Sequence, residues 1–154
     1  KRLRAQKIEE VDNLMKFVAE TNGRDPKMIK LSAENIVKMC EKHNFSLPLL
    51  LAQAHLESHF GTTARARRTN SVFSIGSYDD GRNIYKPSTQ DESVENYILT
   101  IKKYYLADKT LDELLSNGGF VNHKGQRYAS DKKYEQKIRQ TMNGIIKTHC
   151  PSCF

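Results

Sequence analysis

The stretch "LLLAQAHLESHFG", residues 49–61, is apolar on nearly every turn of a predicted helix, yet it carries a glutamate near its end. A proline in the first turn suits the start of a helix, and Gly61 is placed to end it. Leu50, Ala54 and Glu57 are spaced i, i+4 and i+7, so Glu57 falls on an apolar face. A carboxylate on such a face is costly to bury unless it is paired, neutralised or used.

Physical chemistry allows two interpretations of Glu57. In the first, the side chain reaches outward to solvent or pairs with an arginine of "RARR", residues 65–68. In the second, an apolar pocket raises the pKa of the carboxyl, so that it can donate a proton near neutral pH. The partial negative charge at the helix C-terminus would raise the pKa further. The sequence of this helix alone leaves both interpretations open.

The length and composition predict one globular domain. The chain has 154 residues, of which 38% are hydrophobic and 28% charged, enough for one core. No run approaches the roughly 18 apolar residues of a membrane span. The opening "KRLRAQKIEE" has no apolar core, so no signal peptide is predicted. The chain opens on Lys1 rather than Met, which is typical of a fragment whose targeting segment lies elsewhere.

The formal net charge of +7 favours polyanionic surroundings. The basic residues are spread along the chain, only "RARR" clusters, and no nucleic-acid-binding motif is present. Nucleic acid is therefore not expected as a partner, while anionic lipid and an anionic cell wall both stay open.

The cysteines and histidines predict no metal or cofactor site. The terminal "CPSCF" contains Cys150 and Cys153, but a lone C-x-x-C supplies only two of the four ligands of a structural zinc site. It also does not follow a predicted strand, whereas a redox C-x-x-C motif would. With Cys40 the count is odd, so we expect reduced thiols, the last two in a flexible tail, and no cofactor.

Hydrophobic periodicity predicts a mostly helical chain interrupted once. The interruption is residues 62–90, where "SVFSIG" (71–76) and "NIYKP" (83–87) suit the strands of a hairpin around the turn signal "YDDG". The predicted fold class is α+β, with a small β-hairpin lobe beside a cleft that could hold an extended polymer. The predicted helices cover residues 4–20, 31–43 with Ser32 as N-cap, 48–61, 90–106, 111–115 and 130–147.

Four segments resemble, in order, the bacterial N-acetylglucosaminidases that cut peptidoglycan (glycoside hydrolase family 73, in the lysozyme-like superfamily). "LAQAHLESHFGTT" is similar to the family pattern A-Q-A-x-x-E-S-x-W-G-T-S, and "RTNSVFSIG" to N-N-L-F-G-I. "QDESVENYI" resembles E-S-V-x-D-Y, and "GQRYASDKKYEQKI" resembles Y-A-T-D-P-x-Y-x-x-K-I. The departures are His59-Phe60 for a small residue and Trp, Ser74 for Gly, and Lys132 for Pro.

The resemblance covers residues 48 to about 146. It predicts a catalytic core over 48–149, preceded by N-terminal helices in 1–47 that belong to the same domain or lead into it. Residues 150–154 are expected to be a tail.

The resemblance implies a lysozyme-like fold in which Glu57 is the general acid on a β-1,4 glycosidic oxygen. Cleavage of a glycosidic bond normally uses a second carboxylate. In this family it is sought in the hairpin lobe, where Asp79 and Asp80 are the candidates. Since Asp-Gly is a favoured turn pair, both residues also suit a purely structural role.

The resemblance also suggests residues that contact the substrate. Tyr128 matches the family tyrosine near the catalytic glutamate, and its phenol could hydrogen-bond the N-acetyl group or the attacking water. The alternative is a loop tyrosine that packs on the last helix. The other expected substrate-binding residues, in the motif, beside it and on the hairpin, are Ser58, Phe60, Asn70, Phe73, Tyr78 and Tyr85.

Three functions stay open at this stage. The first is an endo-β-N-acetylglucosaminidase that acts at the cell wall, whether secreted, periplasmic or virion-associated, as an autolysin or phage lysin does. The second is a muramidase or lytic transglycosylase, which also uses a glutamate on a helix. The third is a non-enzymatic wall-binding module of a phage tail or flagellar machine. Product analysis separates the first two, because they leave different sugar ends.

Overall fold

A computed structural model of the chain describes residues 2–75 and 86–154. Those ranges are mostly helical and contain no β-strand, only an isolated bridge between Val121 and Arg127. Two π-helical segments, Ile101–Leu106 and Met142–Ile146, continue the fifth and seventh helices. The α-helices are α1 (Arg2–Thr21), α2 (Ala33–His43), α3 (Leu47–Ser58), α4 (Ala64–Thr69), α5 (Gln90–Thr100), α6 (Leu111–Leu114), α7 (Tyr134–Thr141) and α8 (Lys147–His149).

Most predicted helices are confirmed, and their ends follow the local signals. The Ser32 hydroxyl accepts a hydrogen bond from the backbone N–H of Asn35, which makes it the N-cap of α2 as predicted. The end of α3 was predicted at Gly61 and lies at Ser58 instead. His59 leaves the helix there in the left-handed conformation, with φ 47°, and donates its N–H back to the last turn.

Helix α3 is the centre of the hydrophobic core. Residues 49–54 are completely shielded from solvent, as expected of a helix that is apolar all round. The helices of residues 1–47 pack into the same core, since Val11, Met15 and Ile36 are also fully buried in it. Within the described ranges, no helix is long and apolar enough to cross a lipid bilayer.

The first strand of the predicted hairpin is not formed over residues 71–75. Ser71, Val72 and Phe73 are all buried, at 7%, 0% and 1% exposure, so the expected alternation of inward and outward side chains is absent. Ser74 then takes a left-handed conformation with φ 60°. The rest of the predicted lobe, residues 76–85, lies outside the described residues.

The C-terminal tail was predicted to be flexible with reduced thiols, and this is wrong. Cys150 and Cys153 form a disulfide around a short 3₁₀ turn. The carboxylate of Glu10 on α1 accepts hydrogen bonds from the N–H of Ser152, at 3.1 Å, and from its hydroxyl. The tail is therefore anchored to α1. Cys40 is a free thiol, and its burial raises its pKa to about 12.

A buried ion pair holds the loop between α6 and α7 against the start of α7. Arg127 donates two hydrogen bonds to the carboxylate of Glu135, at 2.8 and 2.9 Å, and the N–H of Phe120 donates a third at 2.8 Å. Burial would raise the pKa of Glu135, but these hydrogen bonds hold it below its ordinary value. The pair therefore fixes the residues on either side of Tyr128.

We expect Glu135→Gln to lower the free energy of unfolding by about 3 kcal/mol, because it leaves a partly buried guanidinium without its countercharge. Urea denaturation followed by circular dichroism measures the change. The control is Asp12→Asn, which removes an exposed i,i+4 pair with Lys16 and should leave the midpoint unchanged. A Glu135→Gln protein as stable as the wild type would contradict the role of the pair.

Candidate active site

Glu57 lies in the last turn of α3 and is half-buried. Its Oε2 accepts a hydrogen bond from the phenol of Tyr134, at 2.6 Å. Burial raises the pKa of Glu57, while the hydroxyl groups of Tyr134 and Ser74 oppose the rise by hydrogen-bonding to the carboxyl. The partners found in the described residues are thus hydroxyls, which leave the carboxyl able to carry a proton.

Two further side chains stand behind Tyr134. Tyr97 donates its phenol hydrogen to Oε1 of Gln53. Gln53 in turn donates from Nε2 to the phenol oxygen of Tyr134, at 3.1 Å. Tyr97 and Gln53 are fully buried and Tyr134 is 5% exposed, so this chain of hydrogen bonds runs through the protein interior and ends at Glu57.

Tyr128 lies beside Tyr134, with the two rings stacked at 5.9 Å between centroids. Its phenol donates a hydrogen bond to the backbone carbonyl of Phe73. Burial is the main reason why the pKa of Tyr128 lies well above its ordinary value. The phenol is therefore protonated at any working pH, and its oxygen is left to accept a hydrogen bond. Tyr128 therefore lies next to the tyrosine that hydrogen-bonds Glu57, and its role towards a substrate stays a prediction.

The chain reverses sharply just after Glu57. His59, Phe60 and Gly61 are consecutive left-handed residues, with φ of 47°, 59° and 79°. The φ of Gly61 favours glycine, and a Cβ atom there would also meet Oε1 of Gln90 at 2.2 Å, so that the Gln90 side chain would have to move. Gln90 also donates to the Gly61 carbonyl at 2.9 Å, which ties the reversal to α5.

Three residues expected to contact substrate are buried in the core instead. Phe60 and Phe73 are 0% and 1% exposed, and Ser58 is 2% exposed. The Phe73 ring stacks on Tyr97 with 4.0 Å between centroids. The Ser58 hydroxyl donates to the Val72 carbonyl at 2.7 Å. All three side chains are therefore packed in the core and are not exposed on the surface.

Asn70 was also expected to face the saccharide. It ends α4 in the left-handed conformation, and its amide nitrogen donates to the carbonyls of Pro87 and Ser88, at 3.2 and 3.1 Å. The amide nitrogen therefore ties the end of α4 to the residues just before α5, and both of its hydrogens are used in doing so. The remaining candidates, Tyr78, Asp79, Asp80 and Tyr85, lie outside the described residues.

The sequence interpretation missed Gln53 and Tyr134 as site residues. Tyr134 was placed only within the predicted helix of residues 130–147, and Gln53 was given no role. A signal was present, because both residues are letters of the resembled patterns, the Q of A-Q-A and the second Y of Y-A-T-D-P-x-Y. The patterns do not say that the two side chains meet, since 81 residues separate them.

Similar folds occur among solved structures. S. aureus autolysin E superimposes with a TM-score of 0.64 at 18% identity, in complexes with the disaccharide NAG-NAM and with the muropeptide NAM-L-Ala-D-iGlu. The match covers 92% of this chain and 67% of autolysin E. At this identity, the likeness shows a shared fold, that of the autolysin.

The family follows from the sequence. No curated protein sequence matches the chain. The sequence model of the glucosaminidase family, described as mannosyl-glycoprotein endo-beta-N-acetylglucosaminidase, matches residues 33–147. This range runs from the start of α2 to the first residue of α8. It includes Glu57 and the hydrogen-bonded Gln53, Tyr97 and Tyr134. The chain therefore belongs to the glucosaminidase family and is a glycoside hydrolase.

Proposed function

We propose that this chain cleaves β-1,4 glycosidic bonds in the glycan strands of peptidoglycan, as an endo-β-N-acetylglucosaminidase with Glu57 as general acid. The observation that carries the proposal is the state of Glu57. It is the carboxyl of the family motif, it is half-buried, and burial raises its pKa. An acid of raised pKa keeps its proton nearer to neutral pH, where it can deliver it to a leaving group.

The chemistry assigned to Glu57 is proton transfer to the bridging oxygen. As the bond between the anomeric carbon and that oxygen breaks, the oxygen takes the proton and leaves as a hydroxyl. The anomeric carbon develops oxocarbenium character, and a water molecule then bonds to it and gives up a proton. A second carboxylate would stabilise the cation or accept that proton, and Asp79 or Asp80 is proposed for this role.

Two observations support peptidoglycan as the substrate. Autolysin E, whose fold the chain shares, was crystallised with NAG-NAM and with a muropeptide, and one of these structures is a catalytic mutant in which a glutamate is replaced by alanine. The net charge of +7 suits an anionic wall. We therefore place the site of action at the bacterial cell wall.

We expect Glu57→Gln to lower the rate of glycan cleavage by roughly 10²–10⁴-fold, because glutamine keeps the shape of the side chain but has no acid proton to give. Release of reducing ends from purified cell walls measures the rate. Mass spectrometry of the wild-type products identifies the bond, and a reducing N-acetylglucosamine end is expected. A reducing or anhydro muramic end would favour the muramidase or the transglycosylase, and a fully active Glu57→Gln would exclude Glu57 as the acid.

The raised pKa of Glu57 also predicts a pH-dependent effect on stability. A carboxyl whose pKa is raised in the folded state binds more protons there than in the unfolded state. Its contribution to the free energy of unfolding therefore falls as the pH rises from its unfolded-state pKa towards its folded-state pKa. Glu57→Gln removes the titrating carboxyl and, with it, this loss of stability at higher pH. We expect the mutant to gain stability over the wild type as pH rises through that window, with no gain below it.

Urea midpoints across that range of pH measure this effect. Glu20→Gln on α1 is the control, since Glu20 is exposed, and its midpoint should track the wild type. A Glu57→Gln difference that is the same at every pH would mean that Glu57 is ionised normally in the fold.

Asp79→Asn and Asp80→Asn test the second carboxylate one at a time. We expect one of them to lose activity about as strongly as Glu57→Gln while its neighbour stays active, because the role needs only one second carboxylate. The wall-cleavage assay measures both. If both keep near wild-type rates, neither aspartate is catalytic, and a mechanism with one acid is required, assisted by the N-acetyl group of the substrate or of transglycosylase type.

A further inference from the structure

We infer that Tyr134 is a positioning residue for the general acid, and that Gln53 and Tyr97 fix the direction of its hydrogen bond. The inference rests on the proposed function of Glu57 and adds residues that act through it. Tyr134 and Glu57 are 77 positions apart in the sequence and meet at 2.6 Å. Their hydrogen bond is the last link of the buried chain Tyr97–Gln53–Tyr134–Glu57, named here the relay.

In this structure the hydrogen of every donor in the relay points along the chain towards Glu57. The phenol of Tyr97 donates to Oε1 of Gln53, so the amide group of Gln53 turns its Nε2 hydrogens towards Tyr134. The phenol oxygen of Tyr134 accepts one of them and has a single hydrogen of its own to give. That hydrogen goes to Oε2 of Glu57. The opposite order would require the Gln53 amide to turn over and Glu57 to donate its own proton to Tyr134.

Packing holds each member of the relay in place. Phe73 stacks on the ring of Tyr97, and Tyr128 stacks on the ring of Tyr134. Gln53 lies on the most buried part of α3 and is fully shielded from solvent. A buried polar network whose members are all satisfied is rigid, because any rotation leaves an unpaired polar group in the interior. The phenol of Tyr134 is therefore held in a fixed position relative to the carboxyl of Glu57.

Two consequences follow for Glu57. Because Oε2 accepts the Tyr134 hydrogen, this arrangement favours the acid proton on Oε1. The same hydrogen bond stabilises the carboxylate that forms after the proton has left. Burial alone would hold the proton too firmly, and the hydrogen bond from Tyr134 lowers the pKa against it. A general acid works best with a pKa near the working pH.

Tyr134→Phe tests the inference, since it removes one hydroxyl and keeps the ring. Without the donor, the carboxylate is less stable and the pKa of Glu57 rises, so the protonated, active form persists to higher pH. We expect the alkaline limb of the kcat profile to move up by about one pH unit. Titration of the Glu57 side-chain carboxyl carbon by NMR should move in the same direction, and this readout does not depend on activity.

The control is Tyr105→Phe. The ring of Tyr105 lies beside that of Tyr128, with 5.4 Å between the centroids. The substitution therefore also removes one phenol hydroxyl, but from a tyrosine outside the relay. It should leave the alkaline limb and the NMR titration where they are. Gln53→Met, which removes the donor to Tyr134, should move both upward by less than Tyr134→Phe does. This variant also tests the relay if Tyr134→Phe does not fold.

The outcomes are distinguishable. A uniform loss of rate in Tyr134→Phe with no movement of the limb or the titration would show a structural role only and overturn the inference. Equal movement in Tyr105→Phe would assign the effect to the neighbouring tyrosines in general and also overturn it. If Glu57→Gln stays active, the proposed function fails, but the NMR titration of Tyr134→Phe still decides whether the relay governs the protonation of Glu57.

Discussion

The hydrogen bond between Tyr134 and Glu57 is the contact on which the arrangement of the site depends. Helix α3 is fully shielded over residues 49–54, and the single carboxyl in its last turn is half-buried, so a charge there needs a partner. Tyr134 supplies the partner from the first turn of α7. This requires α7 to sit against α3, and the ion pair of Arg127 with Glu135 holds the start of α7 in that position.

Features that depend on neighbours in the sequence could be predicted. The N-cap at Ser32 was predicted correctly because the hydroxyl and the N–H that it accepts from are three residues apart. The helices of residues 90–106 and 130–147 were predicted from apolar spacing, and the structure forms both, each passing into a π-helical segment. The raised pKa of Glu57 could also be anticipated, because the apolar face of α3 is visible in the sequence.

Features that depend on distant contacts could not be predicted. An aromatic residue beside a catalytic motif suits a sugar-binding wall and a core equally well, and the sequence does not say which. Phe73 belongs to the core because its partner, Tyr97, is 24 positions away on α5. The tail was predicted to be flexible because nothing local holds it, whereas Glu10, 142 residues from Ser152, does. Tyr134 escaped notice for the same reason.

The reversal after Ser58 explains how Glu57 can be both buried and usable. Left-handed conformations at His59 and Phe60 are unfavourable for residues with a Cβ, at roughly 1–3 kcal/mol each. The burial of Phe60 and the hydrogen bonds of Ser58 and Gln90 offset that strain. Without the reversal, α3 would run on past Ser58, and Glu57 would lie inside the helix rather than in its last turn. Ending the helix at Ser58 keeps Glu57 in its last turn, where burial raises its pKa while the residue stays partly exposed.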